Sequence, residues 1–181
     1  VLMLFIVPIL AAILFPAFAR AREKAVQTAC MSHERQICLA ISLYGADNEE
    51  VMPPAVRWPQ QVSQYVVNSE NYLCPADKRT DKQSAGGVAT SFTMNEAVGG
   101  MALGTVKTPD TLVMLFDGTQ LAGGRGAAEF RHSRGLNVGY ADGHVGWLSE
   151  SDFGEAAMSP GEAEPQTSPA GNGAERSGAG G

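Results

Sequence analysis

The chain has 181 residues, a formal net charge of −6 and a pI of about 5.0. Because nucleic-acid binding needs a basic surface, this acidic balance excludes nucleic acid as a predicted partner. The length suits one domain with appendages, and the 44% hydrophobic fraction is concentrated at the N-terminus.

The N-terminal segment, VLMLFIVPILAAILFPAFA (residues 1–19), contains no charged or polar side chain. A helix of this length spans about 28 Å, close to the hydrocarbon thickness of a bilayer. Pro8 and Pro16 each remove a backbone hydrogen bond, so we expect a bend or local melting there. The segment is predicted to lie in a membrane or in the core of an assembly.

The helical pattern continues past Arg20 as far as Gly45, and the Pro53-Pro54 pair ends any continuation. Steps of three and four predict one buried face, formed by Val26, Cys30, His33, Ile37, Ala40, Ile41 and Tyr44. Charged residues such as Glu34 and Arg35 are expected to flank this face. One helix is therefore predicted over residues 1–47, apolar all round in 1–19 and amphipathic in 20–47.

Residues 48–150 are predicted to form a small β-rich head. A short helix is expected over 60–67, and GVATSFTMNEAVGG and TLVMLFD are typical of strands. The second is a continuous apolar run that suits a central strand. With the hairpin described next, about four strands would pack against one long helix.

Asp142-Gly143 separates two alternating runs and predicts a hairpin with a two-residue type I′ loop. That register places four apolar residues on one face and two opposed glycines on the other: Val138, Tyr140, Val145 and Trp147 against Gly139 and Gly146. The glycine pair would allow a helix to approach closely.

Residues 151–181 form a tail rich in Gly, Ala, Ser, Pro and Glu, with no large hydrophobic residue after Met158. Such a composition buries too little apolar surface to offset the entropy of ordering. We expect the tail to be flexible in the isolated chain.

The segment ILAAILFPAFARAREKA (residues 9–25) resembles the N-terminal helix of type IV pilin-like proteins. His132, nine intervening residues and Asp142-Gly143 match the H-X9-DG motif of a large bacterial group with such helices. The blocks between them, CMSHERQICLAISLYGADNEEVMP, YLCPAD, SFTMNEAVGG and PDTLVMLFDG, are similar to those of the group in the same order. The resemblance covers residues 1–150 and implies a pilin-like α+β fold, a long N-terminal helix packed on a small antiparallel β-sheet head. The family's cleavage signal would precede Val1, so we expect the natural chain to begin earlier.

The resemblance implies a non-enzymatic structural subunit, a pilin, that polymerises with identical subunits into a type IV pilus-like extracellular filament. The subunit would lie in the bacterial inner membrane before the pilus assembly machinery extracts it, and afterwards on the cell surface. In the filament the apolar helices would form a bundle with Pro8, Ile13 and Pro16 inside it. A pseudopilin of a type II secretion system and a monomeric membrane-anchored binding module are the alternatives.

The three cysteines are Cys30, Cys38 and Cys74. The resemblance implies a disulfide between Cys30 and Cys74; Cys38 is an alternative partner of Cys74, and a chain without an internal disulfide is the third outcome. No two cysteines have the close spacing typical of zinc sites, so no zinc site is expected.

His132, Asp142 and Gly143 are predicted to be structural, with both polar side chains bonded to loop backbone around the hairpin. A catalytic or metal site would instead gather His132, Asp142, His144 and Asp117. No nucleophile with an adjacent base is evident, so no catalytic residue and no resident cofactor are predicted. The resemblance also implies calcium as an alternative ligand, because pilin-like secretion subunits can bind it near C-terminal loops; its oxygen ligands would be Asp110, Asp117 and Asp142.

Overall fold

The computed structural model describes residues 2–162, with side chains from Leu14 onward. The helices are α1 (Leu2–Asp47), α2 (Trp58–Gln61) and α3 (Glu150–Glu155). The strands are β1 (Ser84–Ala85), β2 (Val88–Ala89), β3 (Phe92–Asn95), β4 (Val113–Asp117), β5 (Ala122–Gly123), β6 (Gly135–Tyr140) and β7 (Val145–Ser149). Single 3₁₀ turns cover Ser63–Tyr65, Ser69–Tyr72, Leu103–Thr105 and Arg125–Ala127. The architecture is α+β, with one long N-terminal helix packed on a small sheet.

Helix α1 is continuous from Leu2 to Asp47. It passes through Pro8 and Pro16 without a break, so the local melting expected at these prolines does not occur in the isolated chain. The side chains of Pro8 and Ile13 lie outside the described part of the structure, which gives only the backbone of residues 2–13. Within the described part of the chain, no helix is long and apolar enough to cross a membrane.

The predicted buried face of α1 packs on the sheet, with Cys30, Ile37 and Ile41 at most 1% exposed. Glu34 is also fully buried, contrary to the expectation that it flanks the face. It lies one helical turn after Cys30, so the geometry of the helix directs it toward the head despite its charge.

The main sheet has the strand order β5-β3-β4-β6-β7. All five residues of the central strand β4 are buried, as the continuous apolar run predicted. The pairs β3–β4, β4–β6 and β6–β7 are antiparallel, but β5 runs parallel to β3. The sheet is therefore mixed, which corrects the expectation of a purely antiparallel head.

The β6–β7 hairpin has a register one residue away from the predicted one. Val138 pairs with Gly146, and Gly139 pairs with Val145. The loop has three residues, with Gly143 at φ +90°, so it is a type I turn followed by a left-handed glycine rather than a type I′ turn. A one-residue shift moves Val145 and Trp147 to the opposite face from Val138.

At Gly139, α1 packs closely against the sheet. A Cβ at this position would collide with the Cys38 sulfur. The prediction of close helix approach therefore holds at Gly139. It does not hold for Gly146, because the two glycines no longer oppose each other.

Apolar residues cover both faces of the sheet. One cluster, including Ile37, Trp58 and Leu115, lies between α1 and the sheet. The other, on the opposite face, includes Phe116, Leu136 and Phe153.

The chain remains part of the head beyond residue 150. Phe153 of α3 and Met158 are buried, and Ala157 pairs with Leu112 as an isolated bridge. The predicted tail boundary at 151 is therefore too early, and residues 163–181 lie outside the described residues. The helix expected over 60–67 begins earlier and is shorter, because α2 ends at Gln61 and a 3₁₀ turn follows.

Candidate metal centre

Four buried side chains converge between α1 and the end of β4: Cys30, Cys74, Asp117 and His132. One ligand atom from each residue lies within 4.8 Å of the other three. His132 is the most exposed of the four, at 4%. The group therefore has the composition of a metal site and is almost entirely shielded from water.

The interatomic distances in this four-residue cluster are short. Cys30 Sγ lies 3.4 Å from Asp117 Oδ1, and Cys74 Sγ lies 3.3 Å from His132 Nε2. His132 Nε2 also lies 3.4 Å from Asp117 Oδ2.

A tight turn positions His132. The backbone N–H groups of His132 and Gly135 each donate to the other residue's carbonyl at 3.0 Å. The two residues between them, Ser133 and Arg134, have φ values of 52° and 62°, the left-handed pair that a type I′ turn requires. Trp147 Nε1 donates to the His132 carbonyl at 2.9 Å and holds the turn against β7.

Asp117 and Cys74 are also held by backbone contacts. Asp117 is the last residue of β4, and its Oδ2 accepts the backbone N–H of Asn137 at 2.9 Å. Cys74 follows the Ser69–Tyr72 turn, and its carbonyl accepts the N–H of Asp77 at 2.9 Å. The ligand atoms are thus fixed by elements far apart in the sequence.

The two cluster thiols differ in acidity. A hydrogen bond from Cys30 and another from His132 lower the pKa of Cys74, although burial alone would raise it. Burial raises the pKa of Cys30, and the negative charge of Asp117 raises it further. Burial likewise raises the pKa of Asp117. Cys74 is therefore the cysteine that the protein environment favours as a thiolate.

The geometry differs from that of a catalytic relay. Cys74 Sγ and Asp117 Oδ2 contact the same atom, His132 Nε2. A Cys–His–Asp relay requires the carboxylate on one ring nitrogen and the nucleophile on the other. The four ligand atoms instead lie within 4.8 Å of one another, close enough to share one metal ion.

Arg131 links the cluster to a network of ion pairs. Its Nη1 lies 3.8 Å from Asp117 Oδ1 and 3.3 Å from Asp77 Oδ2, and its Nη2 lies 2.7 Å from Glu129 Oε2. Because Arg131 is itself nearly buried, with a side chain 5% exposed, it supplies a positive charge with little screening by water.

Glu34 adds a second buried carboxyl near the cluster. Neither of its oxygens makes a hydrogen bond. Burial raises the pKa of Glu34 well above its usual value, and the negative charge of Asp117 raises it further. Burial therefore disfavours the ionised form of Glu34.

The H-X9-DG residues occupy two different sites. Asp142 Oδ1 accepts the backbone N–H of His144 at 3.0 Å and contacts His144 Nδ1 at 2.6 Å, and Gly143 takes the left-handed position of the loop. The His132 side chain belongs to the buried cluster instead of bonding to loop backbone. The alternative catalytic or metal site predicted from the sequence is therefore divided. Asp142 and His144 lie at the hairpin turn, whereas His132 and Asp117 belong to the cluster.

All three cysteines are free thiols, so the disulfide implied between Cys30 and Cys74 is not formed in this structure. The two residues are nevertheless neighbours in the cluster. Cys38 lies outside the cluster and packs against Gly139. The fold thus brings Cys30 and Cys74 together, although their spacing in the sequence did not indicate a shared metal site.

The three aspartates considered for calcium do not form one site. Among the described residues, the only group of metal-ligating side chains is the one around Asp117. Asp142 pairs with His144, and Asp110 lines a separate cavity of about 330 Å³ with Tyr140 and Asp152.

Comparisons with protein-family models, with curated proteins and with solved structures found no match.

Proposed function

We propose that this chain is the structural subunit of a type IV pilus-like filament and that it assembles through α1. The observation that carries the proposal is an exposed stripe on the side of α1 that faces away from the head. It consists of Leu14, Phe18, Ala21, Ala25, Thr28, Ser32, Gln36, Leu39 and Leu43, all of them exposed. We call this set the outer stripe.

The outer stripe is apolar or small along most of its length and contains no charged residue. Leu14, Phe18, Leu39 and Leu43 are 51%, 68%, 53% and 44% exposed. Aligned hydrophobic side chains of this kind mark an interaction surface. Ala21, Ala25 and Ser32 lie between them and would let a second helix approach closely.

The head leaves α1 free for such contacts. With 100° per residue, Leu14 and Ile41 are half a turn apart, so the outer stripe and the buried face lie on opposite sides. From residue 14 to residue 25 every side chain is exposed, and the whole helix is about 69 Å long. One face can therefore hold the head while the other meets a neighbouring helix.

A second copy of the same chain is the partner that this arrangement favours. Each copy offers the same long uncharged stripe, and a head-to-tail contact that does not close generates an open helical polymer. The resemblance of residues 9–25 to pilin-like helices supports the same assembly.

Replacing Leu39 with Arg tests the proposal, because a buried, unpaired charge at a helix–helix contact is strongly unfavourable. Fibres sheared from producing cells would be counted by electron microscopy and reconstructed to side-chain resolution. We expect Leu39→Arg to abolish fibres without unfolding the head. The matched control is Val67→Arg, an aliphatic-to-Arg change at a side chain of the head that is 100% exposed.

Abundant fibres from the Leu39→Arg chain would contradict the packing proposed here. A wild-type chain that stays monomeric would instead support the membrane-anchored module. Short fibres confined to the periplasm would support the pseudopilin.

A further inference from the structure

We propose that Cys30, Cys74, Asp117 and His132 bind one Zn²⁺ ion that fastens α1 to the head. This site is independent of filament assembly, because all four ligands belong to one chain. The proposal departs from the expectation, drawn from cysteine spacing alone, that no zinc site exists.

Three contacts among the ligand side chains are close to the separations of a tetrahedral zinc site. With metal–ligand distances of about 2.0–2.3 Å, neighbouring ligands lie about 3.3–3.8 Å apart. The observed distances are 3.4 Å from Cys30 Sγ to Asp117 Oδ1, 3.3 Å from Cys74 Sγ to His132 Nε2, and 3.4 Å from His132 Nε2 to Asp117 Oδ2. All four ligand atoms lie within 4.8 Å of one another, so a bound ion would draw the more distant pairs together.

The donor set favours zinc over calcium and magnesium. Two thiolates and an imidazole are the ligands that zinc shares with other soft or borderline metals, whereas calcium and magnesium require oxygen. Four protein ligands close the coordination sphere, which is typical of a structural rather than a catalytic zinc.

The charge of the site falls when zinc is bound. Two thiolates, one carboxylate and a neutral imidazole leave a Zn²⁺ complex with one net negative charge. Arg131, 3.8 Å from Asp117 Oδ1, offsets part of this negative charge, because it also pairs with Asp77 and Glu129. Binding involves no oxidation: Zn–S bonds form, and any proton still held by either thiol passes to solvent.

The outer surroundings and the access route also suit a metal site. The Asn137 backbone N–H fixes one oxygen of Asp117, as outer contacts of metal ligands commonly do. A cavity of about 420 Å³ between α1 and the loop after Cys74 reaches His132 and gives an ion a path to the site.

The test uses the full-length chain, reduced and purified in detergent, then stripped with a chelator. Titration with Co²⁺ as a spectroscopic substitute should give thiolate-to-metal charge transfer and tetrahedral d–d bands at one ion per chain. Zn²⁺ should displace the Co²⁺ and raise the midpoint of thermal unfolding. At a hundredfold excess of free Zn²⁺ over its Kd, the unfolded fraction should fall about a hundredfold.

Two variants should each weaken binding by more than about a hundredfold, the range seen when outer contacts alone are lost: Cys74→Ser and His132→Ala. Cys38→Ala is the matched control, because it removes a buried cysteine that lies outside the cluster. The Co²⁺ titration of the wild-type chain still tests the proposal if a ligand variant fails to fold.

Reduced wild-type protein that binds no Co²⁺ through thiolates would overturn the proposal. The same conclusion would follow if Cys38→Ala lost the metal while Cys74→Ser kept it. Protein isolated without reductant as a metal-free Cys30–Cys74 disulfide would also overturn it.

Discussion

At the scale of single residues, Asp77 shows how burial and pairing compete. Its side chain is fully buried, and Arg79 Nη2 lies 2.8 Å from its Oδ2. Burial alone would raise its pKa, but hydrogen bonds from Arg79 and the charge of Arg131 lower it from 3.8 to about 2. A lowered pKa in the folded state means that the ionised carboxylate stabilises the fold.

This pKa shift predicts how stability depends on pH. The contribution of Asp77 is complete above pH 3.8 and is lost as the pH falls through about 2. Its size is about 2 kcal/mol. Asp77→Asn should therefore lower the free energy of unfolding at pH 6. It should also make this free energy depend less on pH in the acid range.

Chemical denaturation at pH 6 and pH 3 would measure the change. Asp81→Asn is the control, because Asp81 is exposed. If both variants lost the same free energy of unfolding at pH 6, the stabilising role given to the Asp77 carboxylate would be contradicted.

Glu34 and the cluster mark the limit of what the sequence predicts at this scale. The period of α1 identified Cys30, Ile37 and Ile41 correctly as buried, but a charged residue is assigned to the surface by default. Glu34 is buried because the buried residues one helical turn away fix which face of α1 packs on the sheet. The convergence of Cys30, Cys74, Asp117 and His132 had no local signal, because the four positions lie in separate segments that only the finished fold brings together.

At the scale of secondary-structure elements, the turn between His132 and Gly135 is strained. Ser133 and Arg134 both adopt positive φ, where residues with a Cβ are disfavoured by about 1 kcal/mol or more. Both side chains are exposed. The strain is therefore local to the backbone and can be relieved without disturbing the core.

Arg134→Gly should raise the free energy of unfolding by about 1 kcal/mol, because glycine adopts positive φ without a steric penalty. The contrasting change is Gly135→Ala, whose Cβ would collide with the Leu148 carbonyl and the Trp147 ring. Denaturant unfolding of both variants measures the effect. A less stable Arg134→Gly chain would show that the arginine side chain matters more than its backbone conformation.

The β6–β7 hairpin shows why register is harder to predict than the presence of strands. Asp142-Gly143 indicated correctly where the chain reverses, and β4 was recognisable from its apolar run. The type of loop decided the pairing: one extra loop residue, Ala141, shifts the register by one. Since side chains alternate between faces, this single residue decides which side of the sheet Val145 and Trp147 occupy.

At the scale of the whole molecule, the contact between Cys38 and Gly139 sets how closely the helix and the sheet pack. Gly139→Ala should destabilise the protein by about 1–3 kcal/mol, because the core there has no room for another methyl group. Cys38→Ala removes the opposing sulfur and should restore much of the loss in the double variant.

A double-mutant cycle by denaturant unfolding tests this coupling. Additive effects of the two substitutions would mean that the helix and sheet adjust independently at this point. Nothing in the sequence alone pairs these positions, since Cys38 and Gly139 lie in α1 and in β6.

The spacing of the outer stripe bears on the shape of any filament built from α1. From Leu14 to Leu43 the stripe advances 29 residues in eight steps, which gives about 3.6 residues per step, the period of an undistorted α-helix. Heptad repeats, with 3.5 residues per step, force helices into a left-handed supercoil. Helices that pack through this stripe can stay straight, so the twist of the fibre would come from the rotation between successive subunits.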